Sequence, residues 1–143
     1  MSYGDGRGDA QVAGQDGIEL REAVPTPRVL GQHLIAEMHG ARNLVDPAPS
    51  VSVLHDAAQA CSATVLDIHV HDFGDRAGFT GVALLAESHI SLHSWPEHGY
   101  LAVDVFVCGG VDPRPAIDVL GRHFRPTRTD VRVIARGGPS LPD

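Results

Sequence analysis

The run "TVLDIHVHDF" (64–73) alternates along its length. Leu66, Ile68 and Val70 fall on one parity, while Val65, Asp67, His69 and His71 fall on the other. A period of two predicts a half-buried strand over residues 64–71. The same period returns over residues 100–108. There Leu101, Val103, Val105 and Val107 face one way, and Tyr100, Ala102, Asp104, Phe106 and Cys108 face the other. Strands of this kind bury one face only, so the chain must supply a layer to cover them.

Further strands are predicted at 29–38 (closed by Gly40), at 80–86 and at 130–135, with Ile90 and Leu92 continuing a strand after Ser88. Two helices supply the cover. Pro47 and Pro49 precede a short one with Val51, Leu54, Ala58 and Cys61 at helical spacing. In "DPRPAIDVLGRHF" (112–124), Asp112 serves as N-cap and Pro113 as first helical residue, with Ile117, Leu120 and Phe124 as the buried stripe. The order βαβββαβ gives an α+β fold, an antiparallel sheet with two helices on one face. The other face is left to bury against a second copy.

The 143 residues suit one domain. Residues 1–27 carry Gly4, Gly6, Gly8, Gly14 and Gly17 ahead of Pro25 and Pro27, and are read as a flexible extension. The domain proper is expected over 28–137, with a short tail at 138–143. No apolar stretch reaches membrane-spanning length and the N-terminus has no apolar signal core, so a cytoplasmic protein is expected. Cys61 and Cys108, without an export signal, are expected to stay reduced, with Cys61 a small core hydrophobe. A net charge of −7 opposes nucleic-acid binding. The run Arg122, Arg125, Arg128 and Arg132 reads as a solvated helix end and strand.

All eleven basic residues are arginine. Chemistry that anchors pyridoxal phosphate through a protein lysine is therefore excluded.

Titratable groups concentrate in "AESHISLHSWPEHG" (86–99). A metal site would draw on His69 and His71, two apart on one strand face, with His89 and His93 joining them. No compact third-ligand spacing or CxxC supports it, and no metal is expected. His33 and His39 read as surface or packing residues. A hydrolase would use Ser88 with His93 as base, but the G-x-S-x-G elbow is missing, so Ser88 is equally a polar turn residue. Cys108, ahead of Gly109 and Gly110, is either a buried inert thiol or, in a closed pocket, a proton donor.

Beyond spacing, "GQHLIAEMHGA" (31–41), "SATVLDIHVHDF" (62–73), "FTGVALLAESHISLHSWPEHGY" (79–100), "AVDVFVCG" (102–109) and "FRPTRTDVRVIARG" (124–137) carry a resemblance. Together they resemble the small-chain S-adenosylmethionine decarboxylase proenzymes of bacteria and archaea. The resemblance implies a two-layer sandwich that dimerises into an αββα assembly, with active sites at the interface drawing on both protomers.

It also implies a covalent pyruvoyl cofactor made from Ser88 by self-cleavage between Glu87 and Ser88, leaving two chains of the one precursor. Thr80 would assist the tetrahedral intermediate of cleavage and His93 the elimination. Cys108 would protonate the substrate carbon after carbon dioxide leaves. Glu97 would bind the ribose hydroxyls and Phe73 would stack on adenine. The implied reaction turns S-adenosyl-L-methionine into S-adenosyl 3-(methylthio)propylamine and carbon dioxide for spermidine synthesis. Arginine or ornithine decarboxylation in the same family, or a non-enzymatic metal-binding or regulatory dimer, are the alternatives. The sequence departs from the family pattern at Asp72, where a basic residue is usual, and in the loop "GDRAGFTG", which lacks the common proline.

Overall fold

A computed structural model describes residues 29–138. The expected extension at 1–27 and most of the tail lie outside the described residues. The elements run β1 (Gly31–His39), α1 (Ala48–Ala60), β2 (Val65–Asp72), β3 (Phe79–Leu85), β4 (Ser88–Trp95), a 3₁₀ turn (Pro96–His98), β5 (Tyr100–Cys108), α2 (Arg114–Phe124) and β6 (Arg128–Arg136). They form one six-stranded sheet in the order β2-β3-β4-β5-β1-β6, with every neighbouring pair antiparallel. The α+β reading holds. The chain has one strand more between the helices than βαβββαβ allows, because residues 88–95 form a full strand.

Both helices lie on one face. Ser50, Leu54, Ala57 and Ala58 of α1, followed by Cys61, are buried. Val51, expected in that stripe, is 48% exposed. Positions 50, 54, 57 and 61 define the inward line, and Val51 lies beside it. In α2, Ala116, Leu120 and Phe124 recur every four residues and are buried. Arg114, one residue later than expected, opens α2. The N-cap is Pro113 and not Asp112 as expected, and it has no side-chain cap; Asp112, one residue earlier, accepts from the Arg114 amide through Oδ1 at 3.0 Å.

These side chains meet Leu34, Ala36, Met38, Leu92, Leu101, Val103 and Val105 from the sheet in one continuous core. Fully burying each large apolar side chain contributes about 1.5–3 kcal/mol.

The parity of β2 is a correction. Leu66, expected to face inward with Ile68 and Val70, is 61% exposed, and Val65 packs against the core instead. The pairing of β2 with β3 shifts between Val65 and Asp67, a bulge that reverses the alternation for the strand's first residues.

Among the described residues, nothing covers the outer face of the sheet. Successive strands place side chains on it in rows read from the register: His33, Phe106, His89 and Leu84, then Ile35, Asp104, Ser91 and Val82, then Glu37, Ala102, His93 and Thr80. Leu84, Val82, Trp95 and Ile134 remain 37–52% exposed.

Candidate active site

Ser88 opens β4 immediately after a two-residue turn, with Leu85 and Ser88 paired across it. Of the turn residues Ala86 and Glu87, only Glu87 has a positive φ, +63°. That conformation suits glycine or asparagine, and holding Glu there stores about 1–3 kcal/mol. The strain falls on the residue whose carbonyl forms the peptide bond to Ser88.

Cys108, at the end of β5, closes on this turn. Its Sγ lies 3.5 Å from the Glu87 carbonyl oxygen and 3.4 Å from Glu87 Oε1, and 3.8 Å from Ser88 Oγ. Gly109 follows, and a Cβ there would drive into the carbonyl oxygen of Val29. The missing side chain lets the start of β1 pass close beside Cys108. Cys61, the second cysteine, is buried, and burial pushes its thiol up from the ordinary range.

Thr80 and His93 form a second group. They are cross-strand partners on β3 and β4, with Thr80 Oγ1 3.0 Å from His93 Nδ1. His71 pairs with Thr80 from the other side, and its ring packs 4.8 Å from that of Phe73. Phe73 itself is 58% exposed, at the mouth of a loop tied by its amide to Gly78 at 3.1 Å. Glu97 sits in the 3₁₀ turn after β4, at this same end of the sheet.

The structure therefore sorts the expected residues into two sets. Glu87, Ser88 and Cys108 meet at one end of the sheet, and Thr80, His93, Phe73 and Glu97 stand toward the other. Five residues of extended β4, about 17 Å, separate Ser88 from His93.

Between the two sets lies a cluster that sequence reasoning missed. Asp104 Oδ2 is 2.6 Å from His33 Nε2 and 3.0 Å from His89 Nε2, and its Oδ1 accepts from Ser91. Burial pulls the Asp104 carboxyl upward, but the hydrogen bonds from Ser91, His33 and His89 outweigh it, so the group stays below the usual range. His33 is thus a network member rather than a surface residue. The signal was present in strand parity, since His33 and His89 both flank Phe106 once β1, β5 and β4 are set in register.

Three ligand atoms of this cluster lie within 4.8 Å of one another, a spacing that fits a metal ion. Arg136 opposes that use. Its NH1 donates to His33 Nδ1 at 2.9 Å, which requires the proton of neutral His33 on Nε2, where a metal would bind. His69, His71 and His93, the histidines first considered as ligands, do not join the cluster.

Fold and site together define a class: a two-layer α+β domain whose bare sheet face carries a strained turn before a serine, with a thiol closing on it. Comparison makes this particular. The S-adenosylmethionine decarboxylase family model matches residues 32–137. An S-adenosylmethionine decarboxylase proenzyme of Thermomicrobium roseum is 43% identical over 109 residues, covering 76% of this chain and 94% of that protein. One from Methanococcus maripaludis is 45% identical over 111 residues, covering 76% and 90%. The crystal structure of the adenosylmethionine decarboxylase from Aquifex aeolicus superposes with a TM-score of 0.71 at 33% identity, covering 81% of this chain and 98% of that one. The chain belongs to the S-adenosylmethionine decarboxylase family.

Proposed function

We propose that this protein is a self-processing, pyruvoyl-dependent decarboxylase that converts S-adenosyl-L-methionine to its decarboxylated form for spermidine synthesis. Family membership over nearly the whole described chain supports the activity. The observation that carries the self-processing is the Glu87–Ser88 peptide, held in a left-handed turn with a thiol against its carbonyl oxygen.

The residues there fit a carbonyl group derived from serine. Ser88 Oγ attacks the Glu87 carbonyl carbon, and the amide becomes an ester as the Ser88 nitrogen gains a proton. β-Elimination then releases Glu87 as a carboxylate and leaves a dehydroalanine, whose hydrolysis gives a ketone and ammonia. Residue 88 would hold that ketone, which would supply an electrophile for the substrate's amine and an electron sink for the loss of carbon dioxide. Cys108 delivers a proton to the substrate carbon, Glu97 holds the ribose hydroxyls and Phe73 covers the adenine. Glu97 and the overall charge of −7 suit a sulfonium substrate.

Thr80 and His93 serve cleavage from a second copy. About 17 Å of strand keeps them from Ser88 within one chain. A homodimer with bare sheet faces opposed would cover Leu84, Val82, Trp95 and Ile134, and would set each protomer's Ser88 end against its partner's His93 end. Two unpaired thiols suit a reducing compartment such as the cytoplasm. Among the described residues, no helix is long and apolar enough to cross a membrane.

The test is intact mass of freshly purified protein, followed by carbon dioxide release from S-adenosylmethionine, arginine and ornithine side by side. Two chains, residues 1–87 and 88–143, with a blocked terminus on the second and release from S-adenosylmethionine alone are expected. A lasting single chain with a free Ser88 hydroxyl would refute self-processing, and release from arginine or ornithine would reassign the substrate.

A further inference from the structure

The scissile peptide sits in a turn strained at Glu87, and a strained residue keeps its conformation only where the structure fixes it from both sides. Upstream, the Ala86 amide donates to the Thr64 carbonyl oxygen at 3.0 Å. Downstream, Ser88 Oγ meets Cys108 Sγ at 3.8 Å, a weak contact for holding a strand end. The firm hold comes one residue later.

His89 pairs through its backbone with Leu84 on β3 and Phe106 on β5. Its side chain adds a further tie. His89 Nε2 donates to Asp104 Oδ2 at 3.0 Å, and the same oxygen accepts from His33 Nε2 at 2.6 Å. Arg136 NH1 in turn donates to His33 Nδ1 at 2.9 Å. One line of bonds thus runs from the residue after Ser88 across β5 and β1 to β6. The Phe106 ring backs this line, with the His33 and His89 ring centroids 5.5 and 5.9 Å from its own and the Arg136 guanidinium carbon at 5.4 Å. Gly31 makes room for that ring, since a Cβ there would come within 2.6 Å of it.

Strand alternation turns the side chains of Ser88 and His89 to opposite faces. Tying down His89 therefore fixes the backbone at residue 88 and leaves the Ser88 hydroxyl free to react. A hydrogen bond to a charged acceptor is among the stronger ones a side chain makes, which suits it to oppose backbone strain.

Resting on the proposed self-processing, we propose that His89 is a positioning residue for self-cleavage: its bond to Asp104, braced by His33 and Arg136, holds the Glu87–Ser88 peptide in the strained turn from which Ser88 Oγ attacks. In that step Oγ bonds to the Glu87 carbonyl carbon, the carbon–nitrogen bond breaks, and the hydroxyl proton passes to the Ser88 nitrogen. No further reactant is needed. The step belongs to the uncut chain, and so do the bonds that position it.

The test follows cleavage of newly made full-length chain in cell-free synthesis, by gel and intact mass over time. His89→Ala should cleave about ten- to a hundredfold more slowly than wild type, the range for reacting groups displaced by up to about 1 Å. His89→Gln keeps a donor near the place of Nε2 and should recover most of that rate, which a general loss of strand stability would not explain. Hydroxylamine cuts an ester and spares an amide. Treating uncut His89→Ala chains should release no fragments, because the block precedes the ester. Wild-type speed in His89→Ala, equal slowing in both variants, or fragments released by hydroxylamine would each overturn the inference and leave self-processing intact. A wild-type protein that never cleaves would instead refute self-processing, and the inference with it. If His89→Ala does not fold, Asp104→Asn removes the charged acceptor from the other side of the same bond. Slower cleavage there without a trapped ester supports the positioning role, and wild-type speed or a trapped ester rejects it.

Discussion

Thr80 Oγ1 and His93 Nδ1 stand 3.0 Å apart on adjacent strands, and the peptide they are expected to help break lies five residues up β4. A side chain cannot bridge about 17 Å, so within one chain this pair has no access to Ser88. Either the pair is unrelated to processing or it works on the partner.

Mixed dimers separate these outcomes. His93→Ala alone should leave most of its chains uncut, and Ser88→Ala alone should leave all of its chains uncut. When the two are co-expressed, the Ser88→Ala protomer retains the His93 that its partner lacks. Mass analysis should then show renewed cleavage of the His93→Ala chains only. Absence of any rescue, with mixed dimers shown to form, would place the Thr80–His93 pair outside the processing site.

Strain at Glu87 leads to a stability prediction. In the uncleavable Ser88→Ala background, Glu87→Gly relieves the left-handed backbone by about 1 kcal/mol. A rise in Tm of about 4 °C is expected by calorimetry. With Ser88 present, losing the same strain should slow cleavage about fivefold, because the peptide no longer starts from a raised ground state. A lower Tm would mean that the turn depends on the Glu87 side chain more than it suffers from its backbone.

Asp104 gives a pH prediction. Its carboxyl is held below the ordinary value despite burial, by Ser91, His33 and His89. The unfolded chain therefore binds more protons than the folded one as pH falls from about 4 toward the lowered folded value. Stability from this group is present at neutral pH and is lost across that acid window. Urea melts of wild type and Asp104→Asn between pH 3 and 7 should converge at the acid end. At neutral pH the variant should be weaker by about 1–3 kcal/mol, because three donors lose a charged acceptor. Parallel curves at all pH values would show that Asp104 is not ionised in the fold.

Much of this was legible beforehand, for reasons that particular residues make plain. Leu101, Val103, Val105 and Val107 are all buried as their parity requires, because a central strand without a bulge has no freedom to do otherwise. Ser88, Glu87 and Cys108 were marked by residue type within a specific pattern, and the fold brings them together. The separation of His93 from Ser88 is simple strand arithmetic, but only once β4 is known to be unbroken from Ser88 to Trp95. The Asp104 cluster needed β1, distant in sequence, to pair beside the consecutive strands β4 and β5, entering between β5 and β6. No local pattern encodes that placement.

The bulge at the start of β2 supplies a last prediction, one that turns on a single residue of register. Alternation from Ile68 and Val70 assigns Leu66 to the core, and the observed shift between Val65 and Asp67 sends Leu66 to solvent and Val65 inward. If the alternation ran unbroken, Leu66→Ala would empty a core site at a cost of about 2–5 kcal/mol, and Val65→Ala would be nearly silent. The bulged strand reverses the order. Leu66→Ala should change stability by no more than about 0.5 kcal/mol, since a side chain 61% exposed leaves no cavity. Val65→Ala, half-buried against the core, should cost about 1 kcal/mol. Equilibrium unfolding of the two variants in the Ser88→Ala background keeps chain cleavage from complicating the transition. A Leu66→Ala loss larger than that of Val65→Ala would show that β2 in solution keeps the simple alternation its sequence suggests.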